Sequence, residues 1–441
     1  MKRDEVGRPR WGASCFHHQF SQATALTFNH TRPVRLWLSI SCVRHIIYFL
    51  LLFVLAGCAT VKQPPLPTPG ISREEKVVIG GLEERIFIRG RDRANPVLLF
   101  LHGGPGLPEM PFSHANAELE RDFMVVHWDQ RGAGKSYRPG IPTETMNTDA
   151  FVDETIALTR YLCRTLGKRK VYLAGFSWGS LVGVLAVDRA PELYHAYIGI
   201  SQLVDVPRSD ALLYSAAVAQ AERVGRVEVA RQLRVIGPPP YSTRRDKRHV
   251  KTLTKSLQPH LPLAMTTARF VRLGLQSPYY SLADDVRLIR GLQFSDAHLH
   301  DDVSAHDLAR EVPTIPVPVV FLAGRHDTVL SAPLAETYFH ALSAPRGKRF
   351  VWFEHSDHVL HLEERERFRT ELRRIRDEVA GGDSVDTGGK VIPCLNPTQP
   401  HYQPPSSSSQ KVGGSGASLT TMKTTFLPPR RTRPEGGYSL T

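Results

Sequence analysis

The chain has 441 residues, 41% of them apolar and 22% charged, a balance that excludes a disordered or collagen-like protein and allows a large buried core. Five scattered cysteines exclude a disulfide framework and a CxxC metal site. The net charge of +13 is spread over both ends and the middle. Its one local concentration, Arg244, Arg245, Lys247, Arg248, Lys251 and Lys255, has no interleaved aromatics to stack on bases, so it reads as solvated surface and no nucleic-acid partner is expected.

Near the N-terminus, residues 46–56 read IIYFLLLFVLA after Arg44 and His45. This run of about 11 residues is too short to span roughly 30 Å of hydrocarbon but has the length of a signal-peptide h-region. The following Leu55-Ala56-Gly57-Cys58 resembles the lipobox of bacterial lipoproteins, in which the cysteine carries the lipid, and Ala59 resembles the outer-membrane-sorted members. The resemblance implies residues 1–57 as a signal peptide with a long extension, Cys58 as the lipidation site, and a lipid anchor in the cell envelope, at the outer membrane facing the periplasm. The extension exceeds a usual n-region, and a start at Val34 or Val43 is expected on that ground. Proline-rich residues 58–75 read as a tether, and residues 381–441, rich in Gly, Ser, Pro and Thr, as a disordered tail.

Between these ends, apolar runs of strand length recur: VVIGGLEERIFI with a Gly80-Gly81 turn, VLLFL, MVVHW, VYLAG, AYIGI, VPVVFLAG and FVWFE. Several are continuous, as strands covered on both faces require. Residues 148–166 carry Phe151, Thr155, Leu158, Leu162 and Leu166 on one helical stripe, with acids at the start, arginines at the end and Gly167 as a stop. Strands alternating with helices predict an α/β fold with a mostly parallel sheet. The core is expected at 76–201 and 314–380, interrupted by a helical cap at 202–313 with stretches such as residues 211–232.

Gly175-Phe176-Ser177-Trp178-Gly179 sits between the strand VYLA and the helical run SLVGVLAVDRA. That is the context of a nucleophile turn, where small flanking residues let the backbone close and raise Ser177 at the sheet edge. A serine needs a base and an orienting carboxylate. Asp327 follows the strand VPVVFLA and His358 follows FVWFE, each just past a strand's C-terminal end, where active sites of open α/β sheets form. His355 and His361 are close by, and His361 is the main competitor for the role of base.

His102-Gly103-Gly104-Pro105-Gly106 supplies a bare backbone turn whose Gly104 N–H, with that of Trp178, would stabilise an oxyanion. Asp129-Gln130-Arg131-Gly132-Ala133-Gly134-Lys135-Ser136 is not a phosphate loop, because Asp129 stands where the first glycine is required. It reads as a structural loop, with Asp129 and Arg131 ordering the rim of the site.

Together, HGGPG, DQRGAGKS, GFSWGS, GRHD and SDH resemble the prolyl aminopeptidase (proline iminopeptidase) family of α/β-hydrolase-fold serine peptidases, over residues 76–200 and 315–375. The resemblance implies a triad of Ser177, Asp327 and His358 in preference to His361, oxyanion donors at Gly104 and Trp178, and no metal or cofactor. It implies removal of N-terminal residues, proline among them, from short peptides through an acyl-enzyme. The cap lacks the family's local acidic pattern for a free amine, with Asp205, Asp210, Glu222, Asp284 and Asp285 as possible replacements. An esterase or lactonase on the same triad, or a non-catalytic lipoprotein binding a peptide, are the alternatives.

Overall fold

The computed structural model describes residues 69–383. The leader, Cys58, most of the tether and nearly all of the tail lie outside the described residues. Among the described residues no helix is long and apolar enough to cross a membrane.

Among the described residues eight strands form one sheet: β1 (Ile71–Ile79), β2 (Leu82–Gly90), β3 (Val97–Leu101), β4 (Met124–Asp129), β5 (Val171–Phe176), β6 (Tyr194–Ile200), β7 (Val319–Gly324) and β8 (Lys348–Phe353). Their order is β1-β2-β4-β3-β5-β6-β7-β8. The β1–β2 and β2–β4 pairs are antiparallel and the rest parallel. β1 starts at Ile71, opposite Gly90 at the far end of the hairpin, so the fold begins five residues before the boundary read from the sequence.

The continuous apolar runs follow from cover on both faces. In β3, Leu99 and Leu101 pack into one core cluster and Leu98 and Phe100 into the other. The first face is covered by α1 (Thr148–Leu166), α2 (Trp178–Arg189) and α9 (Ala332–Ala341). The second is covered by the 3₁₀ run Met110–Arg121, by α10 (Leu360–Glu363) through Leu360, and by α11 (Arg365–Asp383) through Phe368, Leu372 and Ile375. α1 has the bounds read from the sequence, capped by the Asn147 side chain and stopped by Gly167 at φ 65°.

Between β6 and β7 lie α3 (Val206–Arg223), α4 (Val227–Ile236), α5 (Arg244–Ser256), α6 (Thr267–Leu275), α7 (Leu282–Ala305) and α8 (Leu308–Glu311). The helix expected over residues 211–232 is two helices, because Gly225 adopts φ 68° and ends α3. α3, α4 and α5 enclose a small core of their own, with Ala217, Ala221, Leu233, Val250 and Leu253. α7 seats on the loops of the core through small residues: a side-chain carbon on Gly291 would meet the Gly132 carbonyl at 2.6 Å. A second tie is the Tyr280 hydroxyl, which donates to Asp129.

Candidate active site

Ser177 sits between β5 and α2 with φ 53° and ψ −116°, a backbone conformation that L-residues rarely adopt. The neighbouring glycines make that turn possible. A Cβ on Gly175 would meet the Gly179 carbonyl at 2.3 Å, and one on Gly179 would meet the Leu101 carbonyl at 2.3 Å. The Ser177 N–H donates to the Ile200 carbonyl of β6 at 2.9 Å, fixing the turn to the next strand.

Ser177 Oγ lies 3.0 Å from His358 Nε2, and His358 Nδ1 lies 2.8 Å from Asp327 Oδ2. Asp327 Oδ1 accepts the N–H groups of Val329 at 2.8 Å and Leu330 at 2.9 Å. Burial alone would raise the Asp327 carboxyl, but His358 and these two N–H groups outweigh it and hold the group below its ordinary range. An ionised Asp327 accepts a hydrogen bond from the Nδ1–H of His358, which leaves Nε2 as the acceptor for the serine hydroxyl. The other two histidines are elsewhere: His355 is exposed, and His361 is fully buried against Phe100 and Phe176, with Nε2 3.2 Å from Glu109.

Gly104 and Trp178 line the same cavity as Ser177. Trp178 is the first residue of α2, so its N–H has no acceptor within the helix. Gly104 has φ 119°, and a Cβ there would meet the Gly106 nitrogen at 2.6 Å. Both backbone segments are tied by side chains that the sequence did not single out. His102 Nδ1 donates to the Gly103 carbonyl at 2.8 Å, and its Nε2 accepts the Gln130 N–H at 3.2 Å. The Trp178 indole donates to Gln130 Oε1 at 3.0 Å. An accepting Nε2 requires neutral imidazole, and burial brings His102 down to about 4, against the opposing pull of its bond to Gly103.

Asp129 and Arg131 are buried, not rim residues. Asp129 Oδ2 accepts the Lys135 N–H at 2.8 Å and the Tyr280 hydroxyl. Burial pushes this carboxyl up to about 7. Arg131 pairs with Glu154, which neighbours Glu84, whose Oε2 accepts the Trp128 indole at 2.6 Å. Burial and the nearness of Glu154 raise the Glu84 carboxyl far above its usual range.

The cavity holds about 410 Å³, a common size for a small-molecule site. Its apolar wall includes Leu203, Val206, Leu213, Val303 and Leu330. Of the five cap acids named as amine binders, only Asp210 reaches it, and Asp210 pairs with Lys247 at 2.7 Å. Asp205 caps α3, Glu222 pairs with Arg234, and Asp284 caps α7. The other acid in the cavity, Asp296, was not foreseen and pairs with Arg244. The basic run stays largely exposed, but its Arg244, Lys247, Arg248 and Lys251 line this cavity, which the sequence did not show. Their spacing of three and four residues, opposite apolar Leu253 and Leu257, is the sequence signal for one shared face.

Residues 96–365 match the α/β-hydrolase fold family. The chain is 35% identical over 306 residues to a probable aminopeptidase, YbaC, of Bacillus subtilis (strain 168), spanning 68% of this chain and 95% of that protein. It is 34% identical over 107 residues to a proline iminopeptidase of Clostridioides difficile (strain 630), spanning 24% of this chain and 35% of that protein. The crystal structure of a proline iminopeptidase from Mycobacterium smegmatis superposes with a TM-score of 0.51 at 20% identity, over 70% of this chain and all of that one. With that family matched over most of the folded chain and a relative covered over 95% of its length in agreement, the chain belongs to the α/β-hydrolase fold family and is a hydrolase.

Proposed function

We propose that the protein is a serine hydrolase that removes N-terminal residues, proline among them, from short peptides. The observation that carries this reading is the hydrogen-bonded series Ser177–His358–Asp327 at the floor of a capped cavity, in a chain similar over most of its length to a probable aminopeptidase. His358 takes the Ser177 proton as Oγ attacks the carbonyl carbon, and the N–H groups of Gly104 and Trp178 receive the developing oxyanion. His358 then gives its proton to the leaving amine, and water releases the acid from the acyl-enzyme by the same steps.

The test is kcat/KM on prolyl-4-nitroanilide, an N-blocked analogue and a short p-nitrophenyl ester. A strong preference for the free amine supports the aminopeptidase; ester cleavage with no dependence on the amine moves the activity to an esterase or lactonase. One observation favours that second reading: both acids lining the cavity are already paired with basic side chains.

A lipid anchor at Cys58 is also part of this proposal. It is supported by the Leu55-Ala56-Gly57-Cys58 sequence after an apolar run of h-region length, and by the proline-rich segment that follows. Radiolabelled palmitate fed to expressing bacteria should enter the protein and fail to enter Cys58→Ala. Equal labelling of both removes the anchor and the outer-membrane location with it.

A further inference from the structure

The charge balance of the cavity is uneven. Four cations of α5 line it, and two carboxylates, Asp210 and Asp296, face them. Those two are used: Arg244 pairs with Asp296 at 2.5 Å and Lys247 with Asp210 at 2.7 Å. Among the described residues Arg248 and Lys251 form no ion pair, and they lie one helical turn apart on the face that lines the cavity with Ser177.

We propose that this cavity takes substrates with an anionic group, a carboxylate, bound by Arg248 and Lys251. The inference rests on the peptidase reading for its choice of source: when the first residue of a short peptide is removed, the C-terminal carboxylate stays on the leaving group, and in a di- or tripeptide it lies within the cavity. Lys251 exposes its surface to the cavity, with protein packed around it. That partial desolvation lowers its ammonium below the ordinary lysine value, with Asp327 and Asp357 acting in the opposite direction. A bound carboxylate supplies the direct ion-pair partner that neither Arg248 nor Lys251 has among the described residues. Charge-assisted hydrogen bonds of this kind discriminate by about 10- to 100-fold over a neutral isostere.

Two substrate pairs test this with the full-length protein. The first is Pro-Gly against Pro-Gly amide, which differ only in the carboxylate. The second is 4-acetoxybenzoate against 4-acetoxybenzamide, which carry the same difference on an ester leaving group. The expected result is a kcat/KM ratio of about tenfold or more in favour of the charged member. Arg248→Gln and Lys251→Gln should each shrink the ratio, the double variant should bring it near one, and Arg248→Glu should invert it. Ratios near one in the unmutated protein for both pairs, or ratios that no variant alters, overturn the proposal. Cleavage of the esters with charge preference but of neither dipeptide overturns the peptidase reading and leaves the anion site standing. Cleavage of both dipeptides at equal rates, with the two esters equally indifferent to charge, does the reverse.

Discussion

The Ser201 hydroxyl donates to the carbonyl of His358 at 2.8 Å, from a backbone held at φ 47° just past the end of β6. The preceding residue, Ile200, accepts the N–H of Ser177. One strand end therefore sets the positions of both the nucleophile and the base. Ser201→Ala should lower kcat about fivefold with little change in KM, the effect of losing one hydrogen bond of about 1 kcal/mol from a positioning residue. Steady-state kinetics on a p-nitrophenyl ester separates the two constants.

Ser177→Ala should lower kcat by roughly 10⁶ while leaving the melting temperature close to that of the unmutated protein. A fluorophosphonate probe should label the unmutated protein and not the variant. Near-native turnover by Ser177→Ala would remove the assignment of the nucleophile. Asp327→Asn should cost roughly 10⁴ in kcat, because an amide favours the wrong tautomer of His358.

Gly179 tests the elbow itself. A Cβ at this position meets backbone, the Leu101 carbonyl at 2.3 Å, which has no flexible end to move aside. Gly179→Ala should destabilise the fold by about 1–3 kcal/mol and displace the Trp178 N–H. The expected outcome is a lower urea midpoint together with slower probe labelling of Ser177.

Arg131 pairs with the buried Glu154, and removing it strands that charge. Arg131→Met should cost about 3–5 kcal/mol of stability at pH 8, measured by urea unfolding. The loss should be smaller at pH 5, where Glu154, raised by its burial, takes a proton more readily.

Asp129 adds a pH dependence of definite sign. Its carboxyl titrates at about 7 in the fold and near 3.8 when free of it. Between those values the folded chain holds more protons than the unfolded one, so this contribution is present at low pH and is lost as pH rises through 7. Its full size is about 4 kcal/mol at most. His102 works in the opposite direction, losing stability as pH falls from 6.5 toward about 4. Asp129→Asn keeps an acceptor for Lys135 and Tyr280 and should therefore lose less stability than the unmutated protein between pH 5 and pH 8.

The strands and the chemical trio were legible in the sequence for physical reasons. Strands covered on both faces leave unbroken apolar runs, and residues of the site stand at strand ends in a fixed order, so Ser177, Asp327 and His358 could be located from their neighbours. Residues that act through distant partners left no such mark. Gln130 acquires its place only when Trp178 and His102 come to it. Asp129 looked like a rim residue because its cover, Tyr280, comes from the cap 151 residues later. The basic stripe of α5 was visible, but charge on a helix reads as solvated until the surface it faces is known.

The separate core of α3, α4 and α5 sets the helix that carries the basic stripe apart from the strand ends that hold the nucleophile and the base. The stripe of α5 is held by apolar contacts with α3 and α4 and by ion pairs to Asp210 of α3 and Asp296 of α7, while the turn bearing Ser177 is tied to β6. Substitutions on the stripe should therefore change which substrates the cavity accepts and leave the Ser177–His358–Asp327 geometry as it is.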